Sequence, residues 1–272
     1  MNFTFLNTIN LDRSPTYIQT HLPVYITMTT IPSRLRNTLK IIKHFLKYVS
    51  GFEKIILNVP WKYNRWPDFV VSLTMLEKIN DARFVLNRCE DYGPLTKIMG
   101  SLHLIPNNSI TIIADDMCYK LNAFKDIAEI QDKNLKKSFS FYVYPYHKDN
   151  KNNNNSYGNN FSTSVLVPQG ADLISTYTQN FSYFPEWFNN FKKRYPKYYE
   201  SACFFVDDQL LGWYFQSHGI PMEQVERRHR MIYIKNCDIS DKSQNLNRLK
   251  GNQSRENTMS KCFTELSEYQ PL

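Results

Sequence analysis

Two pairs of adjacent aspartates are the residues of this chain best suited to hold a cation or to move a proton. Asp115 and Asp116 come directly after the apolar run Ile110–Ala114, and Asp207 and Asp208 precede a stretch with helical spacing. Neighbouring carboxylates repel each other unless a cation is present, and oxygen ligands suit Mg²⁺ and Mn²⁺. Each pair also has a plainer interpretation, an acidic turn for the first and a helix N-cap for the second.

The segment Asp91–Lys97, with the sequence Asp-Tyr-Gly-Pro-Leu-Thr-Lys, predicts an anion site. Gly93 and Pro94 form a tight turn that opens a helix, and the first turn of a helix offers free backbone N–H groups to a phosphate. Lys97 lies one turn into that helix, where its ammonium could meet the same anion. In the alternative interpretation, the Gly-Pro pair only starts the helix and Lys97 is solvated.

Two further segments could contact a nucleotide or its metal. Thr29–Arg34 follows an apolar, β-branched run and could touch a base, a ribose or a phosphate. His229 and its arginine neighbours could supply a metal ligand or phosphate partners. A lone histidine is more often structural or solvated, so this second segment is the weaker candidate.

Strands and helices alternate over the first half of the chain. Apolar runs predict strands at 24–29, 54–59, 83–86 and 110–114, and helical spacing predicts helices at 34–48, with Ser33 as N-cap, at 68–79 and at 95–104. This alternation is typical of an α/β fold with a doubly wound, Rossmann-like, mostly parallel sheet and helices on both faces. Ligands of such sheets bind beyond the carboxyl ends of the strands, where the segments described above follow.

The pattern is less regular after residue 120, and no repeat or linker divides the chain. Further elements are predicted as helices at 122–131, 172–178, 186–194 and 209–216, strands at 139–144 and 161–167, and a mobile Asn-rich loop at 148–160. A C-terminal helix is expected to pack back through Leu246, Leu249, Cys262, Phe263 and Leu266. We therefore expect one domain over 1–272, with a nucleotide-binding half (24–120), an acceptor half (121–235) and a C-terminal extension (236–272).

Composition narrows the class of protein. No apolar run approaches the ~18 residues of a membrane span, and no signal-peptide pattern opens the chain. The five cysteines are scattered and odd in number, so neither a disulfide framework nor a zinc site is expected. These features predict a soluble, intracellular, cytoplasmic protein, and the abundance of Asn, Lys, Ile and Tyr is typical of an AT-rich genome, such as a viral one. A net charge of +8 without a nucleic-acid motif favours a phosphate-bearing small ligand over a nucleic acid.

Taken in order, the motifs resemble those of GT-A glycosyltransferases, over roughly residues 24–230. They resemble in particular the group with a T-x-P-S-R start, a central D-Y-G-P-x-x-K segment and an acidic D-D-D-x-x-Y block. The resemblance implies a GT-A-type fold and a metal-dependent hexosyltransferase. Such an enzyme moves a sugar, with inversion, from a nucleotide-diphosphate sugar to a hydroxyl of a glycan, a protein or a small molecule. A UDP-sugar is the favoured donor and Mn²⁺ or Mg²⁺ the expected cofactor.

The resemblance also implies roles for the residues on the donor side. Thr29 and Arg34 would contact the nucleotide, Asp91 the base and Lys97 the diphosphate. Asp115, within the acidic block, would also take part in binding the donor. These assignments come from motif position alone.

The catalytic and metal-binding roles follow from the same resemblance. Asp116 would be the principal metal ligand, and His229 lies where some GT-A enzymes place a late metal ligand. Asp208 would be the general base, with Asp207 beside it in a cap-like role. Ala114 departs from the family, which usually has Asp there, so an inactive GT-A-like scaffold is an alternative. A nucleotidyltransferase and a basic nucleic-acid binder are the others.

Overall fold

A seven-stranded sheet is the centre of the structure. The computed structural model describes residues 12–69, 79–146, 165–168, 173–225 and 255–269. The strands are β1 (Thr16–Tyr17), β2 (Val24–Thr29), β3 (Val49–Ser50), β4 (Lys54–Pro60), β5 (Phe84–Cys89), β6 (Ile110–Ala114), β7 (Ser138–Ser140), β8 (Val143–Tyr146), β9 (Val165–Pro168), β10 (Ile174–Tyr177) and β11 (Met222–Gln224). The α-helices are α1 (Leu35–Tyr48), α2 (Thr96–Met99), α3 (Leu121–Asp132), α4 (Phe184–Arg194), α5 (Asp207–Ser217) and α6 (Arg255–Glu268).

The order of the large sheet is β11-β7-β10-β6-β2-β4-β5. Strands β2, β4, β5 and β6 are parallel, whereas β10 runs antiparallel between β6 and β7. The chain winds outward from β2 through β4 to β5 and then returns to β6, on the other side of β2. The predicted α/β architecture with a mostly parallel, Rossmann-like sheet is therefore confirmed, and its winding reverses between β2 and β6. Ligands of open α/β sheets bind at such a switch point.

Both faces of the sheet are covered, which explains why its strands are nearly continuous apolar runs. Successive side chains of a strand point to opposite faces. In β6, Ile112 packs into a cluster with α1 and α3, while Ile113 packs into a second cluster with α4 and α5. Both isoleucines are fully buried. The two clusters hold the strands rigidly, so the loops at the carboxyl edge begin from fixed positions.

Four predicted elements differ in the structure. The strand predicted at 139–144 is instead two strands, β7 and β8, which belong to different sheets. The helix predicted at 172–178 is instead strand β10 followed by the 3-10 turn Thr178–Phe181. Pairing with β6 on one side and β7 on the other fixes β10 as a strand, against its local sequence preference. The helix predicted at 95–104 is only α2 with the 3-10 turn Leu102–Leu104. Ser33 is not the N-cap of α1, which begins after the 3-10 turn Pro32–Arg34 and has no side-chain cap.

Several predictions fall outside the described residues. These are most of the helix expected at 68–79, the Asn-rich loop at 148–160, His229, Leu246 and Leu249. Within the described part, the expected C-terminal helix is α6, which buries Cys262, Phe263 and Leu266.

The expectation that the chain has no disulfide is wrong. Cys203 and Cys262 form one, across 59 residues, with their Cα atoms 4.6 Å apart. It ties α6 to the 3-10 turn Ala202–Phe205, which lies just before α5. Glu265 of α6 strengthens the same contact by accepting hydrogen bonds from the Ser201 hydroxyl and the Ala202 amide. No helix in the described ranges has the length and apolar character to cross a membrane.

Candidate active site

Asp116 connects the loops that follow β2 and β6, across the point where the winding reverses. Its Oδ1 accepts a hydrogen bond from Nη1 of Arg34 at 2.9 Å, and its Oδ2 accepts one from the Thr30 hydroxyl at 2.7 Å. The carboxylate is buried, with 5% of the residue exposed. Burial raises the pKa of Asp116, while Arg34 and Thr30 oppose this shift. The first and the acidic motifs of the sequence therefore meet in one buried ion pair.

Lys97 lies at the centre of a second buried cluster. Its ammonium pairs with Asp115 and, at 2.7 Å, with Oδ2 of Asp207. Asp208 also attracts it electrostatically. Burial opposes the charge on Lys97, but Asp115, Asp207 and Asp208 outweigh this effect, so the pKa of Lys97 is raised. Only 4% of Lys97 is exposed, and its ammonium faces carboxylates. The prediction that it meets a diphosphate stays a prediction.

Two polar side chains of the sheet, together with Ser101, hold the short helix that carries Lys97. The backbone carbonyl of Lys97 accepts hydrogen bonds from the Thr27 hydroxyl, from Nδ2 of Asn58 at 3.2 Å and from the Ser101 hydroxyl at 3.2 Å. Asn58 is fully buried, and its Oδ1 accepts a bond from Nδ2 of Asn87 on β5. A buried polar group without partners is costly, so this satisfied network fixes the position of α2 on the sheet.

Asp91 shapes the turn that leads into α2. Its carboxylate accepts hydrogen bonds from the backbone amides of Asn64, at 2.6 Å, and Gly93, at 2.9 Å. Burial raises the pKa of Asp91, whereas these two amides and the Arg65 guanidinium oppose the shift. Because its carboxylate already binds two amides, Asp91 stabilises the loop itself. Its predicted contact with a base stays a prediction.

Gly93 brings the Asp91–Lys97 segment against the segment that precedes Asp207. Its φ is +64°, and a Cβ built there would lie 2.1 Å from the backbone carbonyl oxygen of Phe204. Only glycine adopts this conformation at low cost and leaves room for that carbonyl. The close approach places Lys97 within reach of Asp207.

We expect Gly93→Ala to lower the free energy of unfolding by more than the ~1–2 kcal/mol that a left-handed conformation costs an L-residue. The excess comes from the collision with Phe204. Gly219→Ala is the matched control, because Gly219 has the same φ of +64° with no atom within 4 Å of the added Cβ. Chemical denaturation of both variants measures the difference. Equal losses would show that the contact with Phe204 does not constrain the site.

The acidic pair at the start of α5 differs from the sequence-based expectation. The N-cap of α5 is Val206, without a side-chain cap, so the cap-like role predicted for Asp207 is wrong. Asp207 and Asp208 are the first two residues of the helix, and Asp207 is drawn to Lys97 instead. Both are buried, at 5% and 8% exposure. Asp207 therefore makes an ion pair with Lys97, which is distant in sequence, and not the predicted cap on the backbone of α5.

In the segment Thr29–Arg34, the threonine that contacts Asp116 is Thr30 and not Thr29, the one predicted to contact the nucleotide. The Thr29 hydroxyl donates to the backbone carbonyl of Asn58 at 2.8 Å, whereas Thr30 is the residue that reaches Asp116. Sequence reasoning also missed Tyr63, whose hydroxyl donates to the carbonyl of Thr30 at 3.0 Å. Thr30 could have been identified from its position, because it is the first residue after a strand at the switch point.

The carboxylate oxygens of the acidic residues are suitable ligands for a divalent cation, but these residues do not form a complete coordination shell by themselves. Among the described residues, no three His, Cys, Asp or Glu side chains converge as metal ligands would. Both oxygens of Asp116 are already bonded, whereas the Asp115 side chain is 27% exposed. Mg²⁺ is commonly held by one or two carboxylates together with substrate phosphates. Asp115 is therefore the more accessible ligand, and an ion on Asp116 would have to displace Arg34 or Thr30.

Fold and site together define an α/β protein with buried carboxylates and cations at the switch point of a mostly parallel sheet. No family model matches the chain, and no curated protein sequence does. Solved structures show weak likeness to it at 12% identity. One is 2-C-methyl-D-erythritol 4-phosphate cytidylyltransferase from Thermus thermophilus, covering 79% of this chain and 94% of that one, with a TM-score of 0.41.

Two other similar structures come from different organisms. A 4-diphosphocytidyl-2C-methyl-D-erythritol synthase from Anaerococcus prevotii covers 89% of this chain and 96% of its own, with a TM-score of 0.38. A mannosyltransferase from Pyrobaculum calidifontis, solved with GDP-Man and Mn²⁺, covers 81% and 61%, with a TM-score of 0.39. At these scores the function has to be argued from the site of this chain itself.

Proposed function

We propose that the protein is a glycosyltransferase that uses a nucleotide-diphosphate sugar, UDP-sugar favoured, and a hydroxyl acceptor. The observation that carries the proposal is the convergence of all four motif segments on one edge of the sheet. Arg34 reaches Asp116, and Lys97 reaches both Asp115 and Asp207. Segments that are distant in sequence thus form one charged site, in the place where an α/β sheet binds ligands.

A divalent cation, Mn²⁺ or Mg²⁺, would be held at the acidic edge by Asp115 together with the donor phosphates. Bound there, it would neutralise negative charge on the leaving diphosphate. Asp116, paired with Arg34, positions the loop after β2 beside that charge. Lys97 holds Asp115 and Asp207 in place, so the carboxylates do not move apart by mutual repulsion.

Asp208 is the proposed general base. It lies on the first turn of α5, next to Asp207, and the buried face of that helix fixes its position. A base of this kind accepts the proton of the acceptor hydroxyl as the oxygen attacks the sugar. The division of the chain into a nucleotide-binding half (24–120) and an acceptor half (121–235) is part of the same proposal.

Thermal unfolding with a panel of nucleotide sugars, with and without Mn²⁺, tests the proposal. A ligand at a hundredfold excess over its dissociation constant stabilises the folded state by about 2.7 kcal/mol. We expect one class of nucleotide to stabilise the wild type, and to do so more strongly when Mn²⁺ is present. Asp115→Asn should remove this stabilisation because it weakens the more accessible ligand.

In the same thermal-unfolding assay, Asp116→Asn distinguishes the role of Asp116 from that of Asp115. Its loss lowers the melting temperature of the ligand-free protein, because a buried ion pair is broken. If Asp116 acts only through Arg34, Mn²⁺ and the nucleotide still stabilise the variant, whereas if Asp116 binds the ion directly the Mn²⁺ effect is lost as well. Equal stabilisation of the wild type in EDTA would remove the metal from the proposal.

A further inference from the structure

Arg65 is a half-buried cation without a salt bridge in the described part of the chain. Its guanidinium carbon lies 4.5 Å from the ring centroid of Trp66 and 5.3 Å from that of Phe205. Asp91 attracts it electrostatically, but the Asp91 carboxylate is hydrogen-bonded to the amides of Asn64 and Gly93. Arginine keeps its charge in proteins and has five N–H donors to satisfy. Among the described residues no carboxylate pairs with the Arg65 guanidinium, so its donors can bind an anionic ligand.

Arg34 supplies a second set of donors beside the first. One nitrogen of its guanidinium binds Asp116, while its buried Nε has no hydrogen-bond partner among the described residues. Burial lowers the pKa of Arg65, Asp91 opposes this, and the like charge of Arg34 lowers it further. Two neighbouring cations at a partly desolvated position repel each other, and an anion between them would relieve that repulsion.

The loop that carries Arg65 is fixed to both neighbouring motifs. The Tyr63 hydroxyl donates to the carbonyl of Thr30, and the Asn64 amide donates to Asp91. Arg65 is therefore held between the loop after β2 and the turn before α2. Both of these segments lie at the carboxyl edge of the sheet. The two guanidinium groups therefore lie at the same edge as the two aspartate pairs.

We propose that Arg65 and Arg34 form an anion subsite that binds the diphosphate group of the nucleotide donor. The inference rests on the proposed function for the identity of that ligand. A planar guanidinium binds phosphate oxygens in a bidentate manner, which a lysine ammonium does not. The ammonium of Lys97 is occupied by Asp115 and Asp207, so the contact that the motif resemblance assigns to Lys97 passes to the two arginines.

Calorimetric titration of the full chain with pyrophosphate, UDP, GDP and uridine tests the subsite. Arg65→Met keeps an unbranched apolar side chain beside Trp66 and Phe205 but removes the charge. We expect it to weaken binding of pyrophosphate and of the preferred nucleoside diphosphate by about tenfold or more, since charged hydrogen bonds are lost. Binding of uridine, which has no phosphate, should not change. Arg36→Met, an exposed position on α1, is the matched control and should change affinity by less than about twofold.

The outcomes separate this inference from the proposed function. Diphosphate affinity that is equal in Arg65→Met and wild type would overturn the subsite, as would a wild type that binds no diphosphate. Arg65-dependent binding of pyrophosphate without turnover of any nucleotide sugar would support the subsite and count against the transferase. If Arg65→Met does not fold, Arg65→Lys decides, because it keeps the charge and should still weaken diphosphate binding severalfold by losing the bidentate contact.

Discussion

Lys97→Met is expected to lower the free energy of unfolding by about 3–5 kcal/mol, the usual cost of removing one partner from a buried ion pair. Lys97 is 4% exposed and pairs with Asp115 and Asp207. Without its charge, the Asp207 carboxylate is left buried next to Asp208 and has lost the cation that lies 2.7 Å away in the wild type. Methionine is similar in length to lysine, so the loss in the free energy of unfolding measures mainly the removal of the charge and not a change in packing. Urea denaturation measures it.

A surface lysine provides the control for this experiment. Lys137 pairs with Glu223, and both side chains are more than one third exposed, so Lys137→Met should cost at most about 1 kcal/mol. The double variant Lys97→Met with Asp207→Asn should lose less than the sum of the single variants, because the unpaired charge is removed as well. A Lys97→Met protein as stable as the wild type would show that the ion pairs of Lys97 do not stabilise the fold.

Asp208→Asn is expected to reduce turnover by roughly 10²–10⁴-fold, the contribution typical of general-base assistance. The amide keeps the shape of the side chain but accepts no proton from the acceptor hydroxyl. Donor affinity should change little, because the proposed donor contacts come from Asp115, Arg34 and Arg65. Initial rates with saturating nucleotide sugar and acceptor measure this effect.

Asp207→Asn is the neighbouring control for the catalytic assignment. Asp207 is bound to Lys97 at 2.7 Å, so its replacement should mainly reduce stability. If Asp207→Asn instead abolishes turnover in a stably folded protein while Asp208→Asn remains active, the two roles are reversed. Two adjacent helical residues point about 100° apart, so one reacting centre is not expected to use both equally.

Much of the fold was predictable because local patterns and the rules of parallel sheets agree. Strands β2 and β6 occupy the predicted ranges, and their carboxyl ends bring the first and the acidic motifs together as expected. Strand β10 was not predictable in the same way. Its sequence alone does not show that it pairs with β6 and β7, and that pairing decides its structure.

The site was predictable in location but only partly in its contacts. The sequence places Lys97 at the start of a helix, yet nothing local shows that Gly93 packs on Phe204 and so brings Asp207 to that lysine. The disulfide between Cys203 and Cys262 is hidden for the same reason, since 59 residues separate its partners. Interactions between distant segments set which charges pair, and the motifs alone do not specify them.

Product analysis with doubly labelled nucleotide sugars decides whether the protein is a glycosyltransferase. The sugar and the nucleotide phosphate carry different labels, and the protein is incubated with Mn²⁺ and a panel of hydroxyl acceptors. A glycosyltransferase transfers the sugar label to an acceptor and releases the phosphate label as nucleoside diphosphate. In a parallel incubation with a labelled nucleoside triphosphate and a sugar phosphate, transfer of the nucleotide label to the sugar phosphate with release of pyrophosphate would identify a nucleotidyltransferase instead. The absence of any product across the panel would contradict the account and favour a binding scaffold.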